Sequence, residues 1–205
     1  MVSKIAIASV AGIGTVGMIG FGVYYFFSRA EDKSLKAKLV SDKHTPLESR
    51  NKDHEAHWKS SLEKYKIKHT DKQQWNESQL KSLCNGLFKK EDIETDNYNE
   101  AKKYCVVPRN ISERLRDLGF KELDTRHSKD IPEWTKLSEE YMKGGTNFKK
   151  LKDLETTQVT SDNGATLRTK CGEILKKEHW DDDYETLLDS SKVWCTEHGF
   201  KSISV

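Results

Sequence analysis

The chain has 205 residues, 33% of them charged, and its 35 Lys and Arg stand against 33 Asp and Glu for a formal net charge of +2. Lys4 and Arg29 are the only charges in the first twenty-nine residues, so the remainder is formally neutral with acidic residues interleaved among its lysines. That balance argues against a nucleic-acid binder, which carries a basic excess or a basic face, and three prolines among many Lys, Glu and Leu favour helices.

The first element is the uncharged run over residues 5–27, from Ile5 to Phe27. As a helix it spans roughly 34 Å, enough to cross a hydrocarbon core of about 30 Å. It exceeds the apolar core of a cleaved signal peptide, about 7–15 residues, which points to an uncleaved signal anchor over 1–29. Ser28-Arg29-Ala30 is only a loose cleavage site. Gly12-x-Gly14-x-x-Gly17 inside the run matches a dinucleotide fingerprint but lacks the preceding strand, the amphipathic helix and the further strands that such a site needs. The pair Ala8-x-x-x-Gly12 suits close helix packing instead. Residues 30–50, charged and broken by Pro46, read as a flexible or loosely helical stalk, and 51–205 as a helical domain.

Within that domain Trp58, Leu62 and Tyr65 mark a first helix. A second carries Leu80, Leu83, Cys84, Leu87 and Phe88 on one stripe, with Thr70-x-x-Gln73 upstream as a capping box. A partner helix begins near Thr95 and runs to Cys105. Asn110-x-x-Glu113 caps a short helix with Ile111, Leu115 and Leu118, stopped by Gly119. Asp130-Ile-Pro-Glu133 opens another with Ile131, Trp134, Leu137 and Tyr141 inward, ended by Gly144-Gly145. Leu167, Cys171, Ile174 and Leu175 then form a stripe behind Asp162, and a last helix runs from near Asp182-x-x-Glu185 to Cys195. The five Trp lie at helical spacings or helix edges and read as core.

Residues 80–91 and 167–178 align, with Leu, Cys, Lys, Lys and Glu in register, and Tyr104-Cys105 parallels Trp194-Cys195. The chain therefore contains an internal repeat, with units at about 70–106 and 162–196, each a helical hairpin with one Cys on each arm. Four cysteines allow three pairings. Duplicated units should carry duplicated bridges, so Cys84 pairs with Cys105 and Cys171 with Cys195. Ordinary buried core thiols are the alternative.

No catalytic, cofactor or metal constellation is present in the sequence. His54-Glu-Ala-His57 has i, i+3 spacing where the zinc-protease motif needs i, i+4, and no CxxC pair occurs. Asp181-Asp182-Asp183 lacks the alternating ligands and turn glycine of a calcium loop and reads as helix capping.

The side of the membrane is contested. Arg29, Lys33, Lys36, Lys38 and Lys43 follow the anchor while Lys4 alone precedes it, which by the positive-inside rule keeps the domain cytoplasmic. Paired cysteines point the other way, to an exported domain. The Gly/Ala-rich apolar start, the repeated Leu-x-x-x-Cys helix and the ends Tyr104-Cys105 and Trp194-Cys195 resemble the large paralogous families of small anchored or secreted proteins of haemotropic mycoplasmas. The resemblance covers nearly the whole chain, and the basic flank after Phe27 departs from it. It implies a surface-exposed or secreted protein with roles in antigenic diversity or host-cell contact, and it supplies no catalytic residues.

The expectation is thus an all-α protein: an N-terminal transmembrane helix, then a helical bundle with two Cys-paired hairpins. It is anchored through residues 5–27 and displayed outside the cell, and it acts by contact with a host protein or surface ligand, without catalysis or nucleic acid. A cytoplasm-facing scaffold, or an enzyme with a dispersed site, is the alternative.

Overall fold

Leu35 and Leu39, one helical turn apart and both fully buried, open the ordered domain where the sequence suggests a stalk. The computed structural model describes residues 32–91, 93–127, 129–144 and 149–203, and the anchor expected over 5–27 lies outside them. Among the described residues no helix is long and apolar enough to cross a membrane. Their regular structure is helical, apart from two isolated β-bridges, and Lys33–Val205 forms a single compact unit.

Helix α1 (Leu35–Ser41) is capped by the Ser34 side chain, which accepts from the Ala37 N–H. Its lysines face outward, and Lys38 pairs with Asp42 at 2.7 Å. The stalk expected over 30–50 is therefore corrected: from Lys33 onward it belongs to the domain, and Leu47 joins Leu35 and Leu39 in the core.

The remaining helices follow the apolar stripes. They are α2 (Glu55–Lys68), α3 (Glu77–Phe88), α4 (Thr95–Tyr104), α5 (Ile111–Asp117), α6 (Ile131–Met142), α7 (Ala165–Ile174), α8 (Tyr184–Trp194) and α9 (Glu197–Ile203). One cap differs from expectation. The box that starts α3 is Asn76-x-x-Gln79, with both reciprocal bonds present, while Thr70 opens a 3-10 turn and Gln73 donates to the Lys66 carbonyl. The reason is that α2 runs on to Lys68, so Thr70 falls in the turn, and Asn76, with extended backbone directly before α3, takes the cap.

The duplication extends well beyond the cysteine hairpins. Leu39 and Leu115, Leu47 and Leu123, Arg50 and Arg126, Trp58 and Trp134, and Tyr65 and Tyr141 all stand 76 positions apart, and the helices around them start at the same offset. Helix α1 corresponds to α5 and α2 to α6. The Trp58 indole donates to the Glu48 carbonyl, as Trp134 does to Asp124. After the second cysteine of each unit the chain pairs with the same hook: Leu47 N–H reaches the Cys105 carbonyl and Leu123 N–H the Cys195 carbonyl, while Val107 and Glu197 return bonds to Thr45 and Lys121. Each repeat is thus a four-helix unit, over about 34–107 and 110–197, in place of the shorter expected units at 70–106 and 162–196.

Each unit has its own core. The first centres on Trp58, Tyr65, Leu80 and the Cys84–Cys105 pair, the second on Trp134, Tyr141, Leu167 and the Cys171–Cys195 pair. Fully burying one such large apolar side chain is worth about 1.5–3 kcal/mol. At the start of α7 only glycine fits. Gly164 has φ +76°, and a Cβ there would lie 2.4 Å from the backbone of Trp134.

Candidate functional site, a lysine-rimmed groove where the repeats meet

All four cysteines are fully buried, with Cα–Cα distances of 5.5 Å for Cys84–Cys105 and 5.7 Å for Cys171–Cys195. The pairing is the one the repeat selects. Buried and oxidised, the cysteines fasten α3 to the end of α4 and α7 to the end of α8, and they offer no thiol for chemistry. The four mark the scaffold.

Other chemical candidates are consumed locally. His54 Nδ1 accepts from the Glu48 N–H and its ring lies 6.3 Å from that of His57. No group of three or more His, Cys, Asp or Glu side chains able to hold a metal occurs among the described residues. In the Asp181-Asp182-Asp183 run, Asp181 accepts from the Glu178 N–H, Asp182 pairs with Lys103 and Asp183 with Lys152. Asp183 stands at the start of α8 without a side-chain cap bond. Turn closure and ion pairing replace the expected capping.

Much of the contact between the repeats is polar and built on helix ends. Arg114, from α5, is only 6% exposed and donates to the carbonyls of Asp42 and Lys43 at 2.7 and 2.6 Å, where α1 ends. His179 donates from Nε2 to the carbonyls of Lys102 and Lys103, both at 3.1 Å, in the last turn of α4. Helix C-termini carry unsatisfied carbonyls. Here side chains of the second repeat satisfy those of the first. Arg114 also lies 3.1 Å from His44 Nε2, and since guanidinium can only donate, His44 is the acceptor and therefore neutral there. Burial, with the Arg114 charge second, holds the His44 pKa down to about 3, and burial holds His179 down to about 4. Tyr184 donates to the Arg109 carbonyl, and burial pushes its hydroxyl well above the usual range.

Beside this contact runs a groove of about 330 Å³ lined by Lys64, Ile67, Lys68, Lys103, Tyr104, Trp180 and Asp182. Its floor is aromatic. Trp75 and His69 stack on Tyr65, Tyr65 meets Tyr104 edge-on, and Tyr104 stacks on Trp180 at 6.1 Å. Trp180 belongs to the second repeat by sequence yet packs against the core of the first. Ile67 is 72% exposed, the largest exposure among the large apolar side chains described. Three ammonium groups face one carboxylate on the lining. Lys103 takes Asp182 at 3.7 Å, and neither Lys64 nor Lys68 has a carboxylate partner among the described residues.

A larger hollow of about 500 Å³ lies along α5 and α7. Its charge is balanced, Glu122 and Glu173 against Arg126 and Lys176, and Ser112 already donates to Glu122. The groove is chemically the more distinctive. Sequence reasoning missed it because Ile67 sits in a lysine-rich helix end that looks solvated, and because every Trp reads as core. Trp58, Trp134 and Trp194 are core, whereas Trp75 and Trp180 are half-buried. The available signal was asymmetry: counted from the matched cysteines Cys84 and Cys171, the first repeat has Ile93 where the second has Trp180.

No protein-family model, curated protein or solved structure matches the chain.

Proposed function

We propose that this chain is a membrane-anchored protein whose disulfide-closed helical domain faces the outside of the cell and acts by binding other proteins, without catalysis. The observation that carries this is the pair of buried disulfides, one per repeat, because such bridges form and persist in oxidising compartments. The uncharged run over 5–27 supports the anchor. Contact with a host protein, and a part in antigenic diversity, are the roles that the resemblance to the anchored families of haemotropic mycoplasmas adds.

A second reading, a cytoplasm-facing scaffold, rests on Arg29, Lys33, Lys36, Lys38 and Lys43 following the apolar run. Protease shaving of intact cells separates the two. The outward domain should disappear without lysis, and alkylation without reductant should label no cysteine. A domain that survives until the cells are opened, with all four cysteines labelled, establishes the scaffold.

A further inference from the structure

The two repeats treat the same aromatic pair differently. In the second, Tyr141 and Trp194 are covered by a strap from their own chain, residues 149–159. The Tyr141 hydroxyl donates to the Leu154 carbonyl at 2.7 Å and accepts from the Leu151 N–H at 3.0 Å, and the Trp194 indole donates to the Lys149 carbonyl. Leu151, Leu154 and Val159 of the strap are buried in the same core as Tyr141 and Trp194. In the first repeat the counterparts are Tyr65 and Tyr104. The connector between α2 and α3, residues 69–76, is much shorter. It supplies His69 and Trp75 to the Tyr65 side, while Tyr104, only 4% exposed, is covered by Trp180, and the groove opens along the outer edge of that stack.

The rim of the first repeat is also the more basic. Lys64 stands where the second repeat has Glu140, and Lys103 where it has Val193. Ile67 and Lys68 stand where the second repeat has Lys143 and Gly144, and Lys143 there pairs with Glu140. The strap is mixed in charge, Lys149, Lys150 and Lys152 against Asp153 and Glu155, with Lys150 paired to Glu155 and Lys152 to Asp183. A segment seated in the lysine-rimmed groove needs carboxylates to complement Lys64 and Lys68.

We infer that the groove formed by Lys64, Ile67, Lys68, Lys103, Tyr104 and Trp180 docks an extended acidic segment of a partner protein. The segment takes the place that residues 149–159 take in the second repeat. Its apolar side chains rest on Ile67 and on the exposed edge of Trp180, which is backed by Tyr104, and its carboxylates meet Lys64 and Lys68. This deepens the protein-contact reading above and rests on it. Exposed charge pairs add little affinity alone and mainly set specificity and encounter rate, while aromatic anchors at the centre carry the binding energy. The groove has both.

The probe is a fluorescein-labelled peptide alternating Leu with Glu and Asp, followed by anisotropy with the full chain in detergent micelles. Saturable binding should weaken with salt and vanish for the same peptide with Lys in place of its acids. Lys64→Glu with Lys68→Glu should weaken it about ten-fold or more. Ile67→Ser, at a site too exposed to affect folding, should weaken it several-fold. Trp180→Ala should do likewise, while Lys176→Glu in the other hollow changes nothing. Absence of saturable binding overturns the inference, as does equal sensitivity to Lys176→Glu, which would mean unspecific ionic attraction. So does binding to phosphatidylglycerol vesicles, but not to the peptide, that Lys64→Glu with Lys68→Glu abolishes. If peptide binding fails while intact cells still lose the domain to protease, the groove falls and the outward location stands. If the peptide binds but the domain resists shaving, the location falls and the groove stands.

Discussion

Lys43 and Gly119 occupy the same place in the two repeats, one residue past the C-cap of a seven-residue helix, and both have positive φ, +63° and +85°. The hydrogen bonds match as well. His44 N–H returns to the Leu39 carbonyl and Phe120 N–H to Leu115, the backbone turn that commonly ends helices with glycine. Left-handed backbone costs an L side chain roughly 1–2 kcal/mol, and glycine gives back about 0.5–1 of that in chain entropy. Lys43→Gly should therefore stabilise the domain by up to about 1 kcal/mol. Gly119→Ala should destabilise it by a similar amount, through conformation alone, since a Cβ there meets nothing within 4 Å. Urea unfolding of the two variants tests this. Changes of the same sign would show that the turns are not equivalent.

At the scale of elements, the hairpins are closed by their disulfides. A loop of about twenty residues closed in this way is worth roughly 3 kcal/mol. Cys84→Ser should cost roughly 2–5 kcal/mol, Cys105→Ser the same, and the double variant little more than either. Additive losses, measured by denaturant unfolding, would mean that the two residues contribute independently of the bridge. Helices α2 to α8 were legible because each has several apolar positions at helical spacing, and α5 has the added punctuation of the Asn110-x-x-Glu113 box and Gly119. Helix α1 was not. Seven residues leave room for only two core positions, Leu35 and Leu39, among lysines that read as a stalk. The full length of the repeat was hidden for a different reason. The spacing between matched residues is 76 at Trp58 and Trp134, 87 at Cys84 and Cys171, and 90 at Cys105 and Cys195. The longer connector of the second repeat, with its strap, shifts the register partway, so no single offset aligns both halves. The groove was illegible in principle, since it arises where the first repeat lacks that strap.

Over the whole molecule, the repeats are held together by side chains of the second satisfying helix ends of the first, and this makes the contact sensitive to acid. Arg114 reaches the end of α1 and His179 the end of α4, with His44 accepting from Arg114 between them. The charged groups facing the two histidines include Arg114, Lys102 and Lys103, countered by Asp42 and Glu185. Both histidines are neutral when folded, with pKa values held to about 3 and about 4, against about 6.5 in an unfolded chain. Their contribution is therefore intact above pH of about 6.5. As pH falls below that, the unfolded chain binds protons that the folded one refuses, so stability declines, by at most about 2.7 kcal/mol per pH unit for two such groups. His57, also depressed chiefly by burial, adds in the same direction. The loss continues until His179 itself protonates near pH 4. The depressed carboxylates of Asp42 and Asp162 begin to contribute only from there downward. Urea midpoints at pH 7.5, 6 and 4.5 should fall steadily for the native chain and much less for His44→Gln with His179→Gln. Glutamine can still donate to the Lys102 and Lys103 carbonyls but takes up no proton. A midpoint constant from pH 7.5 to 4.5, or a decline that the double variant leaves unchanged, would place the acid sensitivity elsewhere and remove the histidines from the contact that joins the repeats.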